Sequence, residues 1–460
     1  MNTDSQGANN STEPSKPLRE AENEDDLTSH TVSMREALRY CRHLAPAVID
    51  RPLGGSSISH RLEANAKGPN LREERLSALR IFWGSMDAGI PAIQIVSHAS
   101  ALDFQRQFHD ANIPCLVRGL ESHFASAATQ WVDAETGKIR REWFIQQLGS
   151  ETHVPVRYQP VREQKLDADG RADECAINNM PIREWIDLLE QCSCDTTLYL
   201  KDWHLVSWLK DNADTEPSLY TVPAVFPYDL LNAFLTRHTA GDCRFVYWGP
   251  ADTRTPLHSD VLNSYSWSYN VCGCKEWTFY APPLDNETPD RAGIKVTQKA
   301  GECIFVPAGW KHHVINCEES LSINHNWITT ANLDLTWECL QTEMKAIRKE
   351  LLAWNVTSWE AFENMLLGCV GLNVSSFFWM MLSRVLELLR EKIAAVDDCV
   401  VTATDLRRLS EMLSQLLRDE MLHLQDRLAA TLCDHKYAIE AVAMAEKALE
   451  LIDHASHHSG

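Results

Sequence analysis

Apolar positions along this chain keep two different periods, and the change from one to the other divides it. From Met34 to Ala88 they recur at helical spacing, Leu38, Cys41 and Leu44 in one run and Leu76, Leu79, Ile81 and Phe82 in the next, with a Gly54-Gly55-Ser56-Ser57 loop between. Between Pro91 and the neighbourhood of Asn332, short β-rich runs alternate with turn signals, as a sandwich or barrel requires. The runs are Ala92 to Val96, Cys115 to Val117, Val154 to Tyr158, Leu198 to Leu200, Phe245 to Trp248, Trp267 to Cys272, Glu276 to Tyr280, Cys303 to Val306 and Ser320 to Trp327. Two helices, Arg141 to Leu148 and Pro181 to Cys192, interrupt the early part. Beyond Asn332 the spacing is helical to the end, where Leu406, Leu409, Leu413, Leu416, Leu417, Met421, Leu424 and Leu428 form one apolar stripe.

These patterns predict a mainly β core with flanking α-helices and a helical C-terminal region, in four segments. Residues 1–30 hold almost no large apolar groups and cannot offset the entropy of ordering, so they read as a disordered acidic tail. Residues 31–90 read as helices framing the core, 91–332 as the core itself and 333–460 as the helical region. Packing within a bundle is the first reading of the C-terminal stripe, and a homodimer through these helices is the alternative. Met365 to Leu389 approaches the length of a membrane span. Asn373, Ser375, Ser376, Arg384 and Glu387 interrupt it, which predicts a buried helix pair and no membrane.

Composition narrows the partners. Hydrophobic residues at 44% and charged residues at 23% are those of a soluble globular protein. A net charge of −21, from 64 acidic and 43 basic residues, repels nucleic acid and favours basic partners such as a protein with exposed lysines. The 14 cysteines are scattered, and the closest pairs, Cys192/Cys194 and Cys272/Cys274, lack the spacing of structural zinc clusters. Reduced thiols in a cytosolic setting follow. The first thirty residues contain no apolar secretory segment, so the expected location is cytoplasmic, with the nucleus second.

Candidate chemistry lies in the β region. His258-Ser259-Asp260 sits on an extended segment, where residues two apart point to the same face, so an imidazole and a carboxylate converge. A third ligand should come from another strand. The run Gly301-Glu302-Cys303-Ile304-Phe305-Val306-Pro307-Ala308-Gly309-Trp310-Lys311-His312-His313 offers one: a turn glycine, an apolar strand, a Pro-Gly turn, then histidine. His312 and His313 cannot both point inward, and the spacing from Gly309-Trp310 favours His312. Two histidines and one carboxylate leave one face of a metal ion open, which suits iron chemistry with O₂ and a bidentate acid.

The segments Phe245 to Pro282 and Gly301 to Trp327 resemble the two metal-bearing blocks of jumonji-C oxygenases. Within that family the resemblance is closest to the branch called jumonji domain-containing protein four. Its strings occur here as Ser-Trp-Ser-Tyr-Asn-Val-Cys-Gly at Ser266 to Gly273, Leu-Tyr-Leu-Lys-Asp-Trp-His-Leu at Leu198 to Leu205 and Ser-Ile-Asn-His-Asn-Trp at Ser322 to Trp327. The resemblance is good from about Pro91 to Asn332 and vague in both flanks. It implies a double-stranded β-helix of the jelly-roll or cupin type, and Fe(II), 2-oxoglutarate and O₂ as cofactors.

It also implies roles. His258, Asp260 and His312 would hold the iron. Lys275 would pair with the distal carboxylate of 2-oxoglutarate in a charge-assisted bond, and Tyr199 and Thr255 would donate hydroxyls to it. Asn326 would line the site, and Ser268 or Ser266 stands where related enzymes often carry Asn. Trp267 and Trp277 read as barrel core rather than a substrate cage. The implied activity is hydroxylation of a lysine in the eukaryotic translation-termination factor. A histone or protein lysine demethylase would use the same iron site, though no zinc-clustered reader module accompanies it. A non-catalytic jumonji-C protein that only binds a partner would have no need of all four groups, His258, Asp260, His312 and Lys275.

Overall fold

The computed structural model describes residues 24–49, 71–87, 93–97, 100–160, 177–191, 196–212, 219–239, 241–282, 293–394 and 400–457. Thirteen strands occur among them: β1 (Gln94–Ser97), β2 (Cys115–Arg118), β3 (His153–Pro160), β4 (Ile177–Pro181), β5 (Thr196–Trp203), β6 (Arg244–Gly249), β7 (Arg254–His258), β8 (Tyr265–Cys272), β9 (Cys274–Tyr280), β10 (Ile294–Lys299), β11 (Cys303–Val306), β12 (Lys311–Asn316) and β13 (Ser320–Trp327). Nine form a large sheet in the order β1-β2-β11-β8-β13-β6-β5-β3-β4, and four form a small one in the order β10-β9-β12-β7. From β6 onward the chain passes back and forth between them, with β6, β8, β11 and β13 in the large sheet and β7, β9, β10 and β12 in the small one. Alternation in β11 sends Ile304 and Val306 toward Trp277, Phe279 and Val314 of the small sheet, while Cys303 and Phe305 face the aromatic core behind the large sheet.

That second core is dense with rings. Trp131, Phe144, Trp185, Trp248 and Trp267 are buried there against the helices Arg141–Leu148 and Ile182–Gln191. Both helices stand where hydrophobic spacing put them. Nine of the strands overlap the nine apolar runs; β4, β7, β10 and β12 were not among those runs.

The helical flanks differ from expectation in three ways. The tail expected to end at residue 30 overlaps the helix Glu24–Ile49, and residues 1–23 lie outside the described residues, as does the Gly54–Ser57 loop. The two helices of the framing segment also serve different cores. Met34, Leu38, Cys41, Leu44 and Val48 are buried with the C-terminal helices, whereas Leu79, Phe82 and Trp83 of the helix Leu71–Asp87 pack with Trp277, Phe279 and Trp310 beside the small sheet. Ile81, counted in the stripe, is 69% exposed, and Arg75 takes a buried place instead, bonded to Asp334 and the Ala331 carbonyl. Third, the long C-terminal stripe is broken. Leu406, Leu409, Leu413 and Leu416 lie on the helix Val400–Arg418, and Leu424 and Leu428 on the helix Leu424–Leu432. Between them Asp419 accepts a hydrogen bond from the Met421 amide, a short turn forms, and Met421 is left exposed. The stripe leucines named here are buried inside the bundle, so any pairing of two copies must use other residues.

Among the described residues no single helix is long and apolar enough to cross a membrane. The helices Trp359–Val370 and Val374–Glu391 together would pass on length and composition, but they bend by 78° at their junction. Gly371, at φ 75°, makes that junction, and Phe377, Phe378, Trp379, Met381 and Leu382 are fully buried beyond it.

Candidate metal centre and co-substrate pocket

β7 and β12 are hydrogen-bonded neighbours, and their register sets His258 directly opposite His312. The pairing then slips between His312 and Val314, which lies opposite Thr255. The ring centroids of the two histidines are 4.3 Å apart. Asp260, just past the end of β7, brings its Oδ1 to 3.9 Å from His258 Nε2. One ligand atom from each of His258, Asp260 and His312 lies within 4.8 Å of the others. These three could hold one metal ion from a single side.

Local bonds prepare each donor. His258 Nδ1 donates to the Pro256 carbonyl (2.9 Å) and His312 Nδ1 to that of Trp310 (3.2 Å), so both rings present Nε2. Ser266 donates to Asp260 Oδ2 at 2.7 Å and orients the carboxylate. Burial, partly opposed by Asp260, pulls His312 down to about 4, leaving a neutral imidazole with its lone pair available. His313 points the other way, its ring 6.3 Å from that of Tyr280.

The turn that delivers His312 is held from outside the sheet. Asn112, in the left-handed region at φ 58°, accepts the Ala308 amide (2.8 Å) and donates to the Ala308 carbonyl (3.0 Å). Its own carbonyl accepts from Trp310 Nε1 at 3.0 Å. Asn112→Ala should lower the unfolding free energy by about 2 kcal/mol, since two buried backbone groups lose their partner. It should also weaken metal binding, because the Pro307–Trp310 turn is freed. Chemical denaturation and Fe(II) titration measure the two effects. Unchanged metal affinity in a destabilised protein would mean the turn holds itself.

The residues expected from the sequence meet in one cavity: Tyr199, Thr255, His258, Asp260, Ser268, Lys275, His312 and Asn326 all line it. Ser266, Lys201, Tyr247, Trp267, Trp277, Val314 and Asn324 join them. Lys201, Tyr247 and Asn324 had not been singled out. Alternation along β5 from Tyr199 would have indicated Lys201, and alternation along β13 from Asn326 would have indicated Asn324. Trp267 and Trp277 are both buried: Trp267 stacks on Phe226 at 5.1 Å, and Trp277 donates to Gln298.

Lys275 follows the β8–β9 turn at Gly273, whose φ of 81° admits only a residue without Cβ, since a Cβ there would strike the Glu319 carbonyl. Its side chain is 2% exposed and points into the cavity. Burial first, and the neighbouring Lys201 second, lower it to about 7. Among the described residues no carboxylate pairs with it. The Tyr199 hydroxyl bonds with Thr255 and Asn316, and burial raises its pKa. The ring of Tyr199 lies over Gly249, where a Cβ would come within 2.6 Å. The Ser268 hydroxyl is buried with no partner among the described residues. A buried ammonium, hydroxyls around it and an open-faced ligand set fit a metal-chelating acid with a distal carboxylate.

Comparison with known proteins agrees with this chemistry. A model of the JmjC domain, described as a hydroxylase, matches residues 287–327, which include His312. The mouse protein named 2-oxoglutarate and iron-dependent oxygenase JMJD4 is 32% identical over 328 residues, 64% of this chain and 74% of its own. The human protein of that name is 30% identical, over 69% of this chain and 82% of its own. An Arabidopsis thaliana protein named arginine-specific demethylase JMJ20 is 31% identical, over 54% of this chain and 62% of its own. Identity at this level extends across most of the length of the mouse and human proteins, and the chain belongs to the JmjC family of 2-oxoglutarate- and iron-dependent oxygenases, in the group named JMJD4.

Proposed function

We propose that this oxygenase is a protein lysyl hydroxylase and that its substrate is the eukaryotic translation-termination factor. The observation that carries the reading is the single cavity that His258, Asp260 and His312 share with Lys275, with both histidines and the lysine supplied by the small sheet. We read β6 to β13 as the eight strands of a double-stranded β-helix with this cavity at its mouth. Bound Fe(II) with 2-oxoglutarate and O₂ supplies the oxidation of a substrate C–H bond. His258, Asp260 and His312 would hold the iron from one side, and Ser266 keeps the carboxylate aimed at it. Lys275, with Tyr199 and Thr255, would take the distal carboxylate of the co-substrate. Asn326 and Ser268 would line the chelating end, and the aromatic wall of Trp277 and Tyr247 keeps water out.

The three strings shared with the termination-factor hydroxylases support the choice of substrate, as does a net charge of −21, which favours a basic segment of a protein over nucleic acid. A cytoplasmic location suits such a target. A second reading is demethylation, favoured by the name of the Arabidopsis relative. The products separate them. Hydroxylating an N-methyl carbon gives a hemiaminal that collapses to formaldehyde, whereas hydroxylating a lysine methylene away from nitrogen gives a stable product. With Fe(II), 2-oxoglutarate and the N-terminal domain of the termination factor, one oxygen, about 16 Da, should be added to a single lysine, with succinate released. Formaldehyde from methylated peptides, with the termination factor unchanged, would replace this reading with the demethylase. Succinate released with neither protein bearing a product would refute the substrate and leave the oxygenase.

A further inference from the structure

Two thiols meet beside the co-substrate lysine without any part in the chemistry above. Cys274 opens β9 and Cys317 follows the last residue of β12. The register of these antiparallel strands pairs Lys275 with Asn316, so the next pair outward is Cys274 with Cys317. The Cys317 amide donates to the Cys274 carbonyl at 2.8 Å, which fixes that juxtaposition. Lys275 and Asn316 turn into the fold, and both are buried. By alternation Cys274 and Cys317 turn to the outer face of the small sheet, where Glu276 and Lys295 form a surface ion pair. Cys317 is exposed and Cys274 half-buried; neither is in a disulfide.

Residues directly opposite in an antiparallel pair have Cα atoms about 4.5–5.5 Å apart, inside the range of about 4.4–6.8 Å that a disulfide spans. Their Cβ atoms, at about 4.5–5.5 Å, need only a small approach to reach disulfide distance. The two thiols already interact: burial, and then the Cys317 thiol, raise that of Cys274. Cys272, the other candidate partner, faces the opposite way, buried in the aromatic core with its thiol on the Gly137 carbonyl.

We propose that Cys274 and Cys317 are a site of oxidative modification, at which hydrogen peroxide closes a cross-strand disulfide on the outer face of the small sheet. The exposed Cys317 thiolate attacks a peroxide oxygen, the O–O bond breaks, and hydroxide leaves to become water. Cys274 then attacks the resulting sulfenic sulfur as its thiolate, the S–S bond forms and the S–O bond breaks with loss of the second water. Two thiols and one peroxide thus give one disulfide and two waters. The bond staples β9 to β12 one residue outward from Lys275.

The test uses the full reduced chain. It is exposed to increasing hydrogen peroxide, the remaining thiols are alkylated, and the digest is read by mass spectrometry. Two alkylatable thiols per chain should be lost together, with the peptides bearing Cys274 and Cys317 linked, lighter by two hydrogens and in excess of every other cysteine pair. Dithiothreitol should restore both. In Cys317→Ser, Cys274 should remain alkylatable at the same peroxide dose. Recovery of both as free thiols while exposed Cys369 and Cys433 are oxidised would overturn the proposal. So would oxidation of wild-type Cys317 to the sulfinic acid with no link to Cys274.

Discussion

Asp260→Ala should abolish turnover and remove Fe(II) binding at micromolar iron, in a protein that still folds. Asp260 is the one anionic donor of the triad, and two neutral imidazoles without it cannot hold a facial site against water. The folded state has little to lose, because the carboxylate's side-chain bond is to Ser266 at the cavity wall. His312→Ala should fail in the same way: its Nε2 is the donor that crosses from β12, opposite His258. His313→Ala is the internal control. It lies on the outer face beside Tyr280 and should keep iron affinity and turnover close to wild type. Iron titration by calorimetry and a succinate-release assay read both properties. If His313→Ala lost the metal while His312→Ala kept it, the register of β12 would be wrong by one residue.

Lys275→Ala should raise the half-saturating concentration of 2-oxoglutarate by about ten- to a hundred-fold and leave Fe(II) binding intact. A hydrogen bond to a charged group contributes about 1.5–3 kcal/mol, and the buried ammonium has no carboxylate partner of its own among the described residues. The pH dependence gives a second signature. Lys275 is held down to about 7, so its ammonium is fully present below that pH and is lost as pH rises through it. Binding a dianion above about pH 7 therefore requires proton uptake, and wild-type affinity should fall as pH rises. The variant, with nothing to protonate there, should show a flatter profile. Equal half-saturation in the two proteins, or parallel pH profiles, would take Lys275 out of the co-substrate pocket.

Legibility differed between the two sheets for a physical reason. In the large sheet β8, β11 and β13 are buried almost throughout, so β11 reads as an unbroken apolar run and β8 and β13 as large apolar residues alternating with small polar ones; β11 and β13 begin and end where the predicted runs do. The small sheet is covered on one face. β10 reads Ile-Lys-Val-Thr-Gln-Lys, β12 opens on Lys-His-His, and β7 contains an exposed proline at an edge. No local apolar count distinguishes such segments from loops, because their stability comes from pairing with distant strands. Two of them nonetheless carry His258 and His312, which motif spacing located where hydrophobicity did not.

By itself the sequence determined the alternation of helical and β regions, the converging pair His258 and Asp260, the preference for His312 and, within Met365 to Leu389, the buried helix that begins at Val374. Each of these rests on periodicity or on chemistry within a few residues. Only the tertiary structure decided that the helix Glu24–Ile49 belongs to the C-terminal core, that Arg75 reaches Asp334, and that Asn112 secures the turn before His312. It alone put Tyr247 in the same cavity as Lys275, and Cys274 against Cys317. All of these are pairings across tens to hundreds of positions. The chain's local preferences are silent about them, since which surfaces meet is set by how two cores and two sheets close together.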